Sequence, residues 1–155
     1  MLTKILSIIV ALCGALCSAE PSPLATIEAL HTALRNADRA MAESILHPAY
    51  SGVSLQGPAA ARHVFVETRT RALDTIRTLE RGSWDVKILD ASERIDGNGM
   101  AHVWARYVFY LDGHPNHCGY ESYVLYRDGG EWKVISFADT DNALDGKSVD
   151  AICPA

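Results

Sequence analysis

The sequence predicts an α+β domain in which N-terminal helices pack within a curved antiparallel β-sheet. Three observations carry that prediction. The first half of the chain repeats its apolar residues at helical spacing. The second half alternates apolar and polar residues at a period of two. The later segments are separated only by tight-turn sequences, so they pair as a meander with no crossover helices between them.

The elements follow in order. Ser22-Pro23 opens a helix, because serine caps and proline fits the first turn. Leu24, Ile27, Leu30 and Leu34 then mark its apolar face. Asp38 caps a second short helix carrying Met41, Ile45 and Leu46, and His47-Pro48 ends it, since the residue before proline avoids helical geometry. Tyr50, Val53 and Leu55 suggest a short strand or arm. Gly57-Pro58 is expected to open a longer helix through Leu73, Ile76 and Leu79, closed by Gly82. Trp84, Val86 and Ile88 begin the strands, and Asp96-Gly97-Asn98-Gly99 is a hairpin signal. Met100 to Leu111 and His117 to Arg127 are long strands around a turn at Asp112–Asn116, and after Asp128-Gly129-Gly130 a last strand runs from Trp132 to Asp139. A four-stranded meander needs one face covered, and the helical half is the cover available. A sheet wrapped around those helices leaves a hollow.

Residues 1–19 read as a cleavable secretory signal. Lys4 supplies the positive n-region, Ile5 to Leu16 the apolar run, and Cys17-Ser18-Ala19 the small residues before cleavage. The run is short of the roughly 20 residues that span a bilayer, and leucines before Cys13 and Cys17 argue against a lipid-modified cysteine. Residues 20–142 form one domain and 143–155 a tail, so no membrane association is expected after cleavage. Removing the signal takes away one lysine and no acid, moving the net charge from −5 to −6. A mild acidic excess without a basic run argues against nucleic acid as a partner. Cys118 and Cys153 remain, and in an oxidising compartment such a pair usually joins. The alternative is one buried thiol and one on a loose tail.

Ala101-His102-Val103-Trp104-Ala105, Phe109-Tyr110-Leu111-Asp112-Gly113, His117-Cys118-Gly119, Gly130-Glu131-Trp132-Lys133-Val134, Ala138-Asp139-Thr140 and Cys153-Pro154 resemble bacterial lumazine-binding or nuclear-transport-factor-2-like (NTF2-like) proteins. In that group "lumazine" denotes sequence similarity, not a known ligand. The resemblance covers roughly residues 24–142 and implies a cone-shaped fold. It also implies that the His-Cys-Gly segment and the late Cys-Pro go together, which favours the disulfide. The wider superfamily includes ketosteroid isomerase, scytalone dehydratase and polyketide cyclases, but the carboxylate and tyrosine of the first and the His and Asp arrangement of the second are not found here, and those activities are not carried over.

The candidate catalytic residues are His117, Glu121 and Asp139. On the strand from His117, residues two apart share a face, so His117, Gly119, Glu121 and Tyr123 point one way and Cys118, Tyr120, Ser122 and Val124 the other. A histidine and a carboxylate lining a hollow suit general acid–base work. Because four residues of strand span about 13 Å, they would act on opposite ends of a substrate. The competing reading is a solvated sheet face. Asp139 and Asp141 end the last strand, where a carboxylate is a base at the cone's mouth or, more often, an ordinary cap.

The candidate ligand-binding residues are Trp104, Arg106, Tyr107 and Tyr123. Pairing across the 112–116 turn sets Tyr107 opposite Glu121 and Arg106 opposite Ser122, a group suited to an anion or a carbonyl. The plainer readings are a surface ion pair for Arg106, a core ring for Tyr107 and core packing for the tryptophans. His114 and His117 have a metal-like spacing, but Pro115 and a turn separate them and nothing nearby completes a set, so no metal and no cofactor is expected. His31 and His63 fall in predicted helices and read as surface or satisfied core residues; His47 falls at a helix end.

Three functions fit. The first is binding of a small, largely apolar molecule in the cone. The second is isomerisation, dehydration or hydrolysis of a small carbonyl compound by proton transfer. The third is homodimeric association through the outer sheet face.

Overall fold

The structure is a computed structural model that describes residues 20–155; the predicted signal lies outside the described residues. Helix α1 spans Pro23–Asn36. It begins as the sequence dictates, with the Ser22 hydroxyl accepting a hydrogen bond from the Ala25 N–H at 3.1 Å and Pro23 in the first turn. Helix α2 spans Arg39–Ile45 and is capped by the Asp38 carboxylate, which accepts from the Met41 N–H. Strand β1 (Leu46–Gln56) follows at once, then a single 3₁₀ turn, strand β2 (His63–Thr68) and helix α3 (Arg69–Thr78). The long strands are β3 (Trp84–Ile95), β4 (Met100–Leu111), β5 (His114–Asp128) and β6 (Glu131–Ala143), and one helical turn, α4 (Val149–Ile152), lies in the tail.

Two expectations are corrected. The segment from Gly57 to Gly82, expected as one helix, contains a strand: residues 63–68 pair antiparallel with β1, and the helix begins only after Thr68, whose hydroxyl caps it. The run His63-Val64-Phe65-Val66 is β-branched and aromatic, which disfavours a helix and suits a pleated edge. His63 is therefore on an exposed edge strand. The sheet has six strands, ordered β2-β1-β6-β5-β4-β3, and β1 lies parallel to β6. The meander is its larger part. His47 and Pro48 belong to β1 and do not merely end a helix; the register with β6 shifts between Leu46 and Ser51, and proline, lacking an N–H, is tolerated at such an irregularity.

The predicted turn at Asp112–Asn116 is tighter than expected. Leu111 pairs with His114, leaving Asp112-Gly113 as a two-residue turn with both φ values positive. A bulge between Phe109 and Tyr110 takes up the remaining offset. Further bulges lie between Ile88 and Asp90 and between Val124 and Leu125. Bulges bend the strand that carries them, so the meander curls around the helices.

The main core fills the concave side, with Ile27 and Leu30 from α1, Leu73 and Ile76 from α3, and Val103, Leu125 and Val134 from the sheet. Burying each of these side chains stabilises the fold by roughly 1.5–3 kcal/mol. A second, smaller core lies on the outer face, where Val108, Cys118, Leu144 and Cys153 are sealed by Val149 and Ile152 of the tail. Cys118 and Cys153 form a disulfide there, with Cα atoms 6.2 Å apart. Among the described residues no helix is long and apolar enough to cross a membrane.

Candidate functional site

The hollow exists. A cavity of about 430 Å³ lies between the helices and the concave sheet face. Its apolar wall includes Leu30, Leu34, Val86 and Ile76, with the rings of Trp84, Phe65, Phe109 and Phe137. The ionisable and hydroxyl groups set into that wall are His31, Tyr50, Ser54, Glu67, Thr75, Tyr107, His117, Glu121, Tyr123, Asp139 and Asp141.

Glu121 is among the most enclosed of these, at 2% exposure. The Tyr123 hydroxyl donates to its Oε2 at 3.1 Å. That hydroxyl also lies 3.0 Å from His31 Nε2. Since its single proton goes to Glu121, the histidine nitrogen must be the donor of the second bond, which fixes the His31 tautomer. The Glu121 Oε1 is 3.5 Å from the same nitrogen and has no hydrogen-bond partner. Burial first, and then the Glu121 charge, hold the Tyr123 phenol protonated, well above its ordinary range.

Asp139 lies directly across the β5–β6 ladder from Glu121. The Tyr107 hydroxyl is 3.0 Å from its Oδ2 and 3.1 Å from the Thr140 carbonyl, and shares one proton between them. The other carboxylate oxygen, Oδ1, is buried without a hydrogen-bond partner. Burial pushes the Asp139 carboxyl up to about 6, against the lowering effect of Ser54 and Tyr107 and with help from the Glu121 and Asp141 charges. Tyr107 is itself pushed up, by burial and then by Asp139.

Two further pairs complete the polar lining. The Tyr50 hydroxyl donates to Glu67 Oε1 at 2.9 Å. Burial raises Glu67, while Tyr50 and the Arg71 charge draw it down. His117 stacks on Phe109, with ring centroids 4.6 Å apart, and its Nδ1 lies 2.9 Å from Asn116 Oδ1 and 3.7 Å from Asp141. Burial lowers the His117 pKa and Asp141 opposes the shift, so the ring is neutral at pH 7.

The structure thus brings Glu121, Tyr123, Tyr107 and Asp139 together in the cavity and places His117 beside Asp141 on another part of its wall. The observed register differs from the expected one by two residues: Tyr107 faces Gly119, and Arg106 faces Tyr120. A slip of two preserves faces, so Tyr107 still points inward. Trp104 and Arg106 do not line the cavity. Trp104 is 46% exposed on the outer face, stacked on Tyr120. Arg106 binds Asp90, Asp150 and the Cys153 carbonyl, and so fastens the tail. Their even-numbered positions put them on the opposite face from Tyr107.

His31, Tyr50 and Glu67 were not picked out as part of this set, and Asp141 was considered only beside Asp139 at the cone's mouth. His31 carried a usable signal, because it sits beside Leu30 on the apolar face of α1. Glu67 was hidden by the helix expected in place of β2.

No family model and no curated protein sequence matches the chain. Solved structures do. An NTF2-like protein of unknown function in nutrient uptake from Rhodospirillum rubrum is 21% identical, with a TM-score of 0.58 over 75% of this chain and 94% of that one. The association domain of CaMKII from C. elegans is 16% identical, with a TM-score of 0.59 over 75% of this chain and 90% of that one. A Mycobacterium tuberculosis protein of unknown function is 12% identical, with a TM-score of 0.62 over 79% of this chain and 71% of that one. The domain has the NTF2-like fold, an α+β cone with a curved, unclosed sheet.

Proposed function

We propose that this is an exported protein that holds a small, largely apolar molecule inside the cone. The observation that carries the reading is the cavity. It has the size and the aromatic wall of a small-molecule site, with a few buried polar groups that converge on one region. The outer-face disulfide supports an oxidising compartment and hence the signal expected in residues 1–19. Native mass spectrometry of the protein from the exported fraction tests the reading. A co-purified small molecule that is lost when the cavity is filled by Val86→Trp supports it. A ligand that survives that substitution sinks it.

A second reading is proton transfer within the same cavity, supported by Asp139. Its carboxyl, raised to about 6, has one oxygen free of hydrogen bonds and faces the cavity, as a general base near neutral pH requires. Association of two copies is supported by the exposed Met100, Trp104 and Tyr126 on the outer sheet face. Analytical ultracentrifugation of Trp104→Ser tests it: an unchanged molecular weight would remove that surface from consideration.

A further inference from the structure

We infer that the cavity selects an organic cation: a protonated amine on an apolar, ring-sized body. This rests on the ligand-binding reading above and names its ligand class. The lining contains four carboxylates, Glu67, Glu121, Asp139 and Asp141, and no lysine or arginine. Arg71 acts on Glu67 from above the Phe65 ring. Asp141 has the His117 ring beside it at 3.7 Å and Glu121 Oε1 has the His31 ring beside it at 3.5 Å, neither within hydrogen-bond geometry. Glu121 and Asp139 are paired directly across adjacent strands, and each leaves one buried oxygen without a hydrogen-bond partner.

Buried carboxylate oxygens are almost always satisfied, so the unmet pair points to a donor supplied from outside the chain. An ammonium group suits the position. It carries up to three N–H donors, and its charge is favoured by carboxylates in a poorly solvated wall. The rings of Tyr107, Tyr123 and Phe137 line the cavity as well, the kind of group a cation–π contact uses, and the rest of the wall is apolar enough to cover a ring. The same geometry disfavours carboxylates and phosphates. Arg106, the cation that the sequence suggested for an anion, is turned to the outer face and held there by Asp90 and Asp150.

The test uses three probes that share an indole and a two-carbon arm: tryptamine, tryptophol and indole-3-acetate. Each is titrated into the protein at pH 7.5 and constant salt, with amide shifts of Ser54, Gly119, Glu121 and Asp139 followed by NMR. Tryptamine is expected to shift these amides and to bind at least about tenfold more tightly than tryptophol, with indole-3-acetate weakest, the advantage expected of one well-placed charge-assisted contact. Glu121→Gln and Asp139→Asn should each shrink that preference. Equal or tighter binding of the alcohol or the acid overturns the cation preference and leaves the ligand-binding reading standing. A preference for tryptamine that persists in both folded variants also overturns it, by assigning the effect to the protein's overall negative charge. No shift at the cavity amides with any probe up to millimolar concentration overturns the ligand-binding reading and this inference together.

Discussion

Glu121 and Asp139 face each other across β5 and β6, and each directs a carboxylate into the same cavity with one oxygen left unbonded. Two acids so placed repel, and the Glu121 charge is among the causes that raise Asp139. The cost appears as pH dependence. The folded protein holds the Asp139 proton up to about pH 6, against an ordinary value of 3.8. This contribution to stability is therefore complete below about pH 4 and lost as pH rises through 6. Asp139→Asn removes the penalty and keeps an acceptor for Tyr107. The variant should be more stable than the parent at pH 7.5, by at most about 3 kcal/mol for a shift of this size, and should lose that advantage at pH 4. Urea denaturation at the two pH values decides it.

The Tyr123 hydroxyl joins His31 to Glu121 in the interior. Tyr123→Phe leaves both partners without it and should cost about 1–3 kcal/mol at neutral pH. A loss under about 0.5 kcal/mol would show that water takes its place.

Gly119 lies under the backbone of β6. A Cβ built there would fall 1.7 Å from the Thr140 carbonyl oxygen, which is fixed in the sheet and cannot turn away. Gly119→Ala should therefore cost about 3 kcal/mol or prevent folding. Gly113→Ala, where nothing lies within 4 Å but φ is +77°, should cost only about 1–2 kcal/mol. Equal melting temperatures for the two variants would contradict this packing.

The disulfide closes a 35-residue separation on the outer face, away from the cavity. Its removal by Cys118→Ser with Cys153→Ser should lower stability by about 2–4 kcal/mol and leave probe binding in the cavity unchanged. Arg106→Ala should free the tail to proteolysis in the same selective way, because its guanidinium holds both Asp150 and the Cys153 carbonyl. A loss of cavity binding in either variant would show that the two sheet faces are coupled.

The meander was legible because its turns carry their own chemistry: Asp112-Gly113 and Gly129-Gly130 sit where positive φ is needed. On β5 alternation grouped Glu121 with Tyr123 on one side whatever the register, but it left open whether that side lines the hollow or meets solvent. What local pattern could not supply was the β1–β6 pairing, which joins distant segments, and with it the meeting of Ser54 with Asp139. The strand at 63–68 was missed because a glycine–proline start and later leucines suggested one continuous helix. Trp104 and Arg106 were assigned to the cavity together with Tyr107, although the alternation that places Tyr107 inside puts them outside.

The parallel junction of β1 with β6 also bears on how the protein reaches its final state. Tyr50 and Ser54 arrive on an early strand and meet the wall they complete only when the last strand is in place. Closing so long a loop is slow, because its entropy must be lost before the contacts form. A partly folded chain can hold its helices and hairpins and still have no chamber. Ligand occupancy would then report the finished fold alone, and a tightly held ligand would slow the opening of the seam between the first and last strands.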